Sequence, residues 1–178
     1  MMWRMTMINK LYNKSKLAYN GLWILITVII VLLDQITKFA VVKNMYLFQK
    51  ITVIDGFFDL YYVRNDGAGL GLFSNARWLF MSFTTIVIIF TVILLIKNYF
   101  SNGMAFLSIV FILSGGIGNM IDRVLFGEVV DFFQFQIKYF DFIFNIADVF
   151  ITFGTIMFAV YYIYFHDKNK GKVNDRAV

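Results

Sequence analysis

The chain has no cysteine and no proline, only one histidine, and few charges, with Asp, Glu, Lys and Arg making up 15% of its 178 residues. Each shortage removes a chemistry. Without cysteine there is no thiol nucleophile, disulfide, Cys-bound zinc or iron–sulfur centre, and the redox compartment cannot be read. The single His166 cannot supply the paired ligands of a zinc protease, and a Ser-His dyad would have to draw on the edge of a polar tail. Any hydrolysis therefore rests on carboxylates, with no metal and no cofactor expected. The shortage of charge sets the class. A soluble chain is roughly a quarter charged and about half apolar, whereas this one is 60% hydrophobic and 20% aromatic, with 22 Phe and a mean hydropathy of +0.73. Its solvent is lipid.

Four apolar stretches, Leu22 to Val42, Trp78 to Ile96, Met104 to Ile121 and Phe144 to Phe165, approach the ~20 residues that cross a bilayer. They predict an all-α membrane protein, a four-helix transmembrane bundle. The first stretch is long for a signal peptide and no small-residue cleavage pattern follows it, so it reads as a retained helix. Basic residues set the orientation. Arg4, Lys10, Lys14, Lys16, Lys97, Lys168, Lys170, Lys172 and Arg176 fall on one side with only Asp167 and Asp175, while the other side carries seven basic and nine acidic residues. Both termini are expected in the cytoplasm. The net charge of +5 then reflects insertion and contact with anionic membrane lipids, and nucleic acid need not be invoked.

The connections are unequal. Lys97 to Gly103 is a short cytoplasmic turn, whereas Lys43 to Arg77 and Arg123 to Ile143 are long and point outward. Asp55-Gly56 signals a turn, Phe57 to Val63 a strand, and Asn65 to Gly69 a glycine-rich loop. Phe133 to Tyr139 alternates strictly, a second strand. Together they predict a small outward-facing β-structure at the membrane surface. The tail after His166 is expected to lack fixed structure.

Ionisable groups in a span cost ~2.5–3.5 kcal/mol each on insertion scales, so each needs a partner or a task. Asp34 and Lys38 are four apart on one helix face and predict a local ion pair. Gly115, Asn119 and Asp122 share a face of the third helix, where glycines at 115, 116 and 118 permit close contact. Asp122 is expected to be held by Arg123 or by backbone groups and to orient the outer loop. Asp131 and Asp148 both fall at the outer boundary, the latter three residues after Asn145. Brought together in a poorly hydrated site, two carboxylates share a proton and serve as base and acid. Their spacing leaves open the alternative of two capping or salt-bridged aspartates.

Five blocks occur in order: Asp34-Gln35-Ile36-Thr37-Lys38, Arg64-Asn65-Asp66-Gly67-Ala68, Gly118-Asn119-Met120-Ile121-Asp122-Arg123, Gly127-Glu128-Val129-Val130-Asp131-Phe132 and Phe144-Asn145-Ile146-Ala147-Asp148. The series resembles the signature of lipoprotein signal peptidase, also called signal peptidase II, over about residues 20 to 165. The resemblance implies an aspartic endopeptidase of the bacterial inner membrane that removes the signal peptide of a prolipoprotein just before the diacylglyceryl-modified Cys. It implies Asp131 and Asp148 as catalytic dyad near the outer face. Asp34, Lys38, Asn65, Gly67, Ala68, Gly115, Asn119, Asp122, Arg123 and Asn145 match site-supporting or substrate-contacting positions. It also implies inhibition by cyclic peptides such as globomycin. On this reading residues 17–165 form one catalytic membrane domain between a cytoplasmic extension, 1–16, and a cytoplasmic tail, 166–178. The competing class is a small ion- or proton-coupled transporter with Asp34, Lys38, Asp122 and Asp148 as its path. Such a path should continue inward, yet the inner halves of all four spans lack acidic residues.

Overall fold

Apolar runs of this length, with no proline to interrupt them, form continuous helices, because lipid offers the backbone no other hydrogen-bond partner. In the computed structural model the chain runs α1 (Met2–Asn44), β1 (Lys50–Ile54), β2 (Phe58–Asn65), α2 (Arg77–Ile96), α3 (Gly103–Leu125), β3 (Val129–Ile137), β4 (Phe140–Phe144) and α4 (Ile146–Asn174). The structure describes residues 2–67, 77–100, 102–137 and 140–174, without the side chains of 2–18, 137, 140, 141 and 166–174. Four helical segments are long and apolar enough to cross a membrane: Tyr19–Asn44, Arg77–Ile96, Gly103–Leu125 and Ile146–Phe165. They match the expected spans to within a few residues. Three ends differ from expectation, the first being that of α1, which begins at Met2 and not near Leu22. Phe144 closes β4, leaving α4 to begin at Ile146, and α4 continues past Phe165 to Asn174.

Helix α3 is the centre, packed against α1, α2 and α4. Its start is capped by Asn102, whose side chain accepts hydrogen bonds from the backbone of Met104 and Ala105. Leu95, Phe106, Ile109, Val110 and Leu113 form a buried cluster, with Trp23, Ile26 and Phe158 against it. Outward faces stay apolar toward lipid, as at Ile36, Phe39, Phe83 and Phe153. Close approach of α4 to α3 depends on Gly115, where an added Cβ would lie 2.3 Å from the carbonyl oxygen of Ala147. Gly118 plays the same part toward α1, a Cβ there meeting the Asp34 carboxylate at 2.7 Å. Gly116 is not under such pressure, its nearest neighbours standing at 3.7 Å.

The extramembrane segments form one antiparallel sheet ordered β1-β2-β3-β4. The two strands expected from the sequence are β2 and β3, and β1 and β4 flank them. One sheet face carries a ladder of rings, Phe58, Phe133, Phe135 and Phe144, with centroids 5.2–5.7 Å apart. The opposite face carries buried Asp59, paired with Lys50 at 2.9 Å and with Gln136. Met45, Tyr62, Val130 and Phe132 form a second buried cluster that joins the end of α1 to the sheet. That cluster fixes β3, and so Asp131, against the helix ends.

Candidate active site

Lys38 anchors the polar centre. Its ammonium has three hydrogens and no lone pair, and it faces three acceptors: Asp34 at 2.8 Å, Asp122 at 3.1 Å and the side-chain oxygen of Asn119 at 3.0 Å. The side chain is only 3% exposed, so no water substitutes for these partners. The Asp34–Lys38 pair expected from their spacing is present, but it is one edge of a larger network. Of the two holders expected for Asp122, the backbone is the one present. No ion pair with Arg123 forms; the carboxylate takes Lys38, the Gln35 amide at 3.0 Å and the backbone N–H of Val130 at 3.1 Å. The expected backbone anchor is therefore real, and the expected cation is replaced because Lys38 on α1 lies against the buried face of α3, while Arg123 reaches the other way. The Arg123 guanidinium stands 5.7 Å over the Phe80 ring and donates to the carbonyl oxygens of Asn119 and Gly67 at 3.5 Å.

Lys38 also sets the orientation of Asn119. Because an ammonium can only donate, it claims the amide oxygen and turns the Asn119 NH2 group toward Asp148, 2.7 Å away. The same oxygen accepts a 3.0 Å bond from Asn145. Asn145 precedes α4 and forms a reciprocal cap with Asp148: its side-chain oxygen accepts from the Asp148 backbone N–H at 3.0 Å, and its own backbone N–H donates to the Asp148 carboxylate at 3.2 Å. Asp34 binds the next free N–H of that helix, at Ala147. The capping role left open for Asp148 is thus present: one carboxylate oxygen accepts from the Asn145 backbone and the other from the Asn119 amide.

Asp131 sits in β3, 2% exposed. The Asn145 amide donates to one of its oxygens at 2.6 Å and the Asn65 amide to the other at 2.9 Å, while the Gly67 N–H holds the Asn65 oxygen at 3.0 Å. Asn145 therefore touches both aspartates, which the chain separates by 17 residues. Burial first, and then the Asp148 carboxylate, push the Asp131 carboxyl up to about 7, against the opposing pull of Asn65, Asn145 and Lys38. Neighbouring carboxylates in such a place do not both ionise near neutrality.

Both aspartates line a cleft of about 700 Å³ between α2, α3, α4 and the sheet. Asn65, Gly67, Asn119 and Arg123 supply its polar end, and Phe80, Phe83, Phe135, Phe142, Phe144 and Phe153 most of its apolar wall. Phe83 and Phe153, 65% and 59% exposed on spanning helices, leave that wall open sideways. Gly115 lies in the α3–α4 contact and lines no part of the cleft. Ala68 falls outside the described residues, as does Gly69. Among the described residues no cluster of three or more potential metal-ligating side chains occurs.

A protein-family model described as Signal peptidase (SPase) II matches residues 26–164. The chain belongs to the signal peptidase II family. A lipoprotein signal peptidase of Clostridioides difficile (strain 630) is 38% identical over 154 residues, 84% of this chain and 99% of the relative. One from Brevibacillus brevis is 44% identical over 130 residues, 73% and 87% of the two chains. A solved structure described as a bacterial membrane enzyme superposes with a TM-score of 0.74 at 38% identity, covering 80% of this chain and 88% of that one. A second so described gives 0.72 at 36% identity, covering 82% and 94%. The protein is accordingly a multi-pass bacterial membrane peptidase of lipoprotein processing, and the transporter alternative falls away.

Sequence reasoning passed over one residue of this signal peptidase II site, Gln35. Its amide donates to Asp34 at 3.1 Å, Asp122 at 3.0 Å and the Gly118 carbonyl at 3.2 Å, so it supplies hydrogens where a single Lys38 must serve two carboxylates. The signal was there: a carboxamide inside an apolar span needs a partner as much as a charge does.

Proposed function

We propose that the protein is an aspartic endopeptidase that cleaves diacylglyceryl-modified prolipoproteins immediately before the lipidated Cys, with Asp131 and Asp148 as its catalytic pair. The observation that carries this reading is that Asn145 bridges the buried Asp131 and the half-buried Asp148, both of which line an apolar cleft. Family membership adds the substrate class.

The pair holds one proton and titrates as a unit. The ionised carboxylate takes a proton from a water, and the resulting hydroxide attacks the scissile carbonyl carbon. The protonated carboxyl gives its proton to the developing oxyanion. On collapse the carbon–nitrogen bond breaks, the proton taken from water passes to the leaving amine of the lipidated Cys, and a hydroxyl of the diol intermediate returns its proton to the other carboxylate as the product carbonyl forms, which restores the pair's single proton. No metal or cofactor enters these steps. Asn65, Asn119 and Asn145 orient the carboxylates, while Asp34, Lys38 and Asp122 hold those amides and strand β3 in place. Arg123 and the Gly67–Ala68 segment contact the substrate backbone or lipid, and a cyclic peptide such as globomycin inhibits by occupying the same cleft. Acyl chains remain in lipid between α2 and α4 as the peptide crosses the sheet end. Both termini then lie in the cytoplasm and the sheet faces outward.

The test is incubation of the purified protein with a diacylglyceryl-modified precursor peptide, with and without chelator, beside a control in which Ser replaces the lipidated Cys. Cleavage confined to the lipidated peptide and indifferent to chelator is expected. Equal cleavage of the control overturns the substrate assignment.

A further inference from the structure

Two threonines interrupt the phenylalanine wall of the cleft: Thr84 in α2 and Thr152 in α4. A hydroxyl inside a span ordinarily donates to a carbonyl one turn back, as Thr85, Thr91 and Thr155 do at 2.7–2.8 Å. Among the described residues, Thr84 and Thr152 form no such bond. The Thr27 hydroxyl is also without a partner among the described residues, but Thr27 does not line the cleft. Thr152 is four residues beyond Asp148 on the same face of α4, ~6 Å deeper along the axis. Thr84 packs its methyl toward Gly116 on α3, where a Cβ would stand at 3.7 Å. Counted from the first residues of their helices at the sheet end, Arg77 and Ile146, the two threonines lie at similar depth on opposite walls. Both threonines thus line the cleft about one turn below Asp148.

Unsatisfied hydroxyls in hydrocarbon are costly unless an acceptor arrives with the occupant. The diacylglyceryl group of the substrate, on which this inference rests through the reading above, brings such acceptors. Its two ester carbonyls lie a few bonds beyond the Cys sulfur, in the direction of the acyl chains. We propose that the Thr84 and Thr152 hydroxyls donate hydrogen bonds to those ester carbonyls, so that the cleft selects the ester linkage in addition to apolar chains.

The experiment uses the full chain in lipid vesicles and two precursor peptides, identical except that one carries a diester glycerol and the other its dialkyl ether of equal chain length. Wild type should prefer the diester by roughly tenfold in kcat/KM, the size of one to two net hydrogen bonds. The Thr84→Val/Thr152→Val double variant, which conserves shape, should bring that preference to about one. Thr84→Ser/Thr152→Ser should retain it, which separates hydroxyl loss from disturbed packing. If wild type cleaves both peptides without preference, or the Val variant keeps the preference, the subsite is overturned and the peptidase reading stands. If wild type cleaves neither, the peptidase reading fails and the subsite with it.

Discussion

At the end of the bundle away from the sheet, Leu95, Phe106, Ile109, Val110 and Leu113 hold the helices by shape, and Ser108, Ser114 and Thr91 bond only within their own helices, to Ala105, Val110 and Val87. At the sheet end the pattern reverses. Lys38 reaches Asn119 across 81 positions, Asp34 reaches Ala147 across 113, and Asn65 reaches Asp131 across 66. Lipid is as apolar as leucine, so side-chain burial gives helices little reason to choose one arrangement. Directional bonds do give one. The half of the molecule that needs exact geometry is therefore the half built from buried charges and amides.

The largest expected effect tests whether Asp131 and Asp148 act as one unit. Asp131→Asn and Asp148→Asn should each lower turnover by at least ~10²–10⁴-fold, with normal insertion and purification. The double variant should be no worse, because groups that act together are not additive. Progressive loss across the series, measured as single-turnover cleavage, would return them to the status of independent caps.

Removing the shared cation comes next. Lys38→Met leaves Asp34 and Asp122 with no cation between them and should cost about 3–5 kcal/mol, the range for breaking a buried ion pair. Thermal unfolding in detergent is the readout. Asp122→Asn should be milder, since the amide still accepts from Val130 and one carboxylate remains for Lys38. Equal destabilisation by the two would mean that Lys38 does not organise the sheet end.

A smaller effect is pH dependence. The Asp131 carboxyl is pushed up to about 7, so the folded protein holds a proton that the unfolded chain has already released. The stability associated with that proton is fully present below the ordinary carboxylate range and is lost as pH rises through about 7. Asp131→Asn should accordingly flatten the fall in melting temperature between pH 5 and 8, while the rate of wild type declines above the upper pKa of the pair. A variant as pH-sensitive as wild type would show that Asp131 is not the group responsible.

The smallest effect belongs to the other end. Thr91→Val removes a bond internal to one helix and should change stability by less than ~0.6 kcal/mol, leaving cleavage as it is. A large loss would break the contrast between the two ends.

Much of the fold is legible in the chain. Hydropathy located the four spans because it is a sum over twenty neighbouring residues, each contributing without regard to distant ones. A turn signal with an aromatic run points to β2 and alternation to β3, whereas β1 is exposed at every position and β4 carries no signal of its own, its last residue Phe144 reading as the start of an apolar span. Asp34 with Lys38, and the shared face of Asn119 and Asp122, are legible because helical turns place residues three or four apart together.

What the sequence alone determined is the solvent, the number of spans and the short list of residues able to do chemistry, since composition excluded thiols and paired histidines before any folding was considered. Only the tertiary structure decided which of those residues meet: that Lys38 rather than Arg123 serves Asp122, that Gln35 completes the network, and that Asn145 touches both Asp131 and Asp148. The reason is range. Partition into lipid is a property of a segment, while a hydrogen bond acts over about 3 Å and exists only when helices and strands from distant parts of the chain have already been brought to one place.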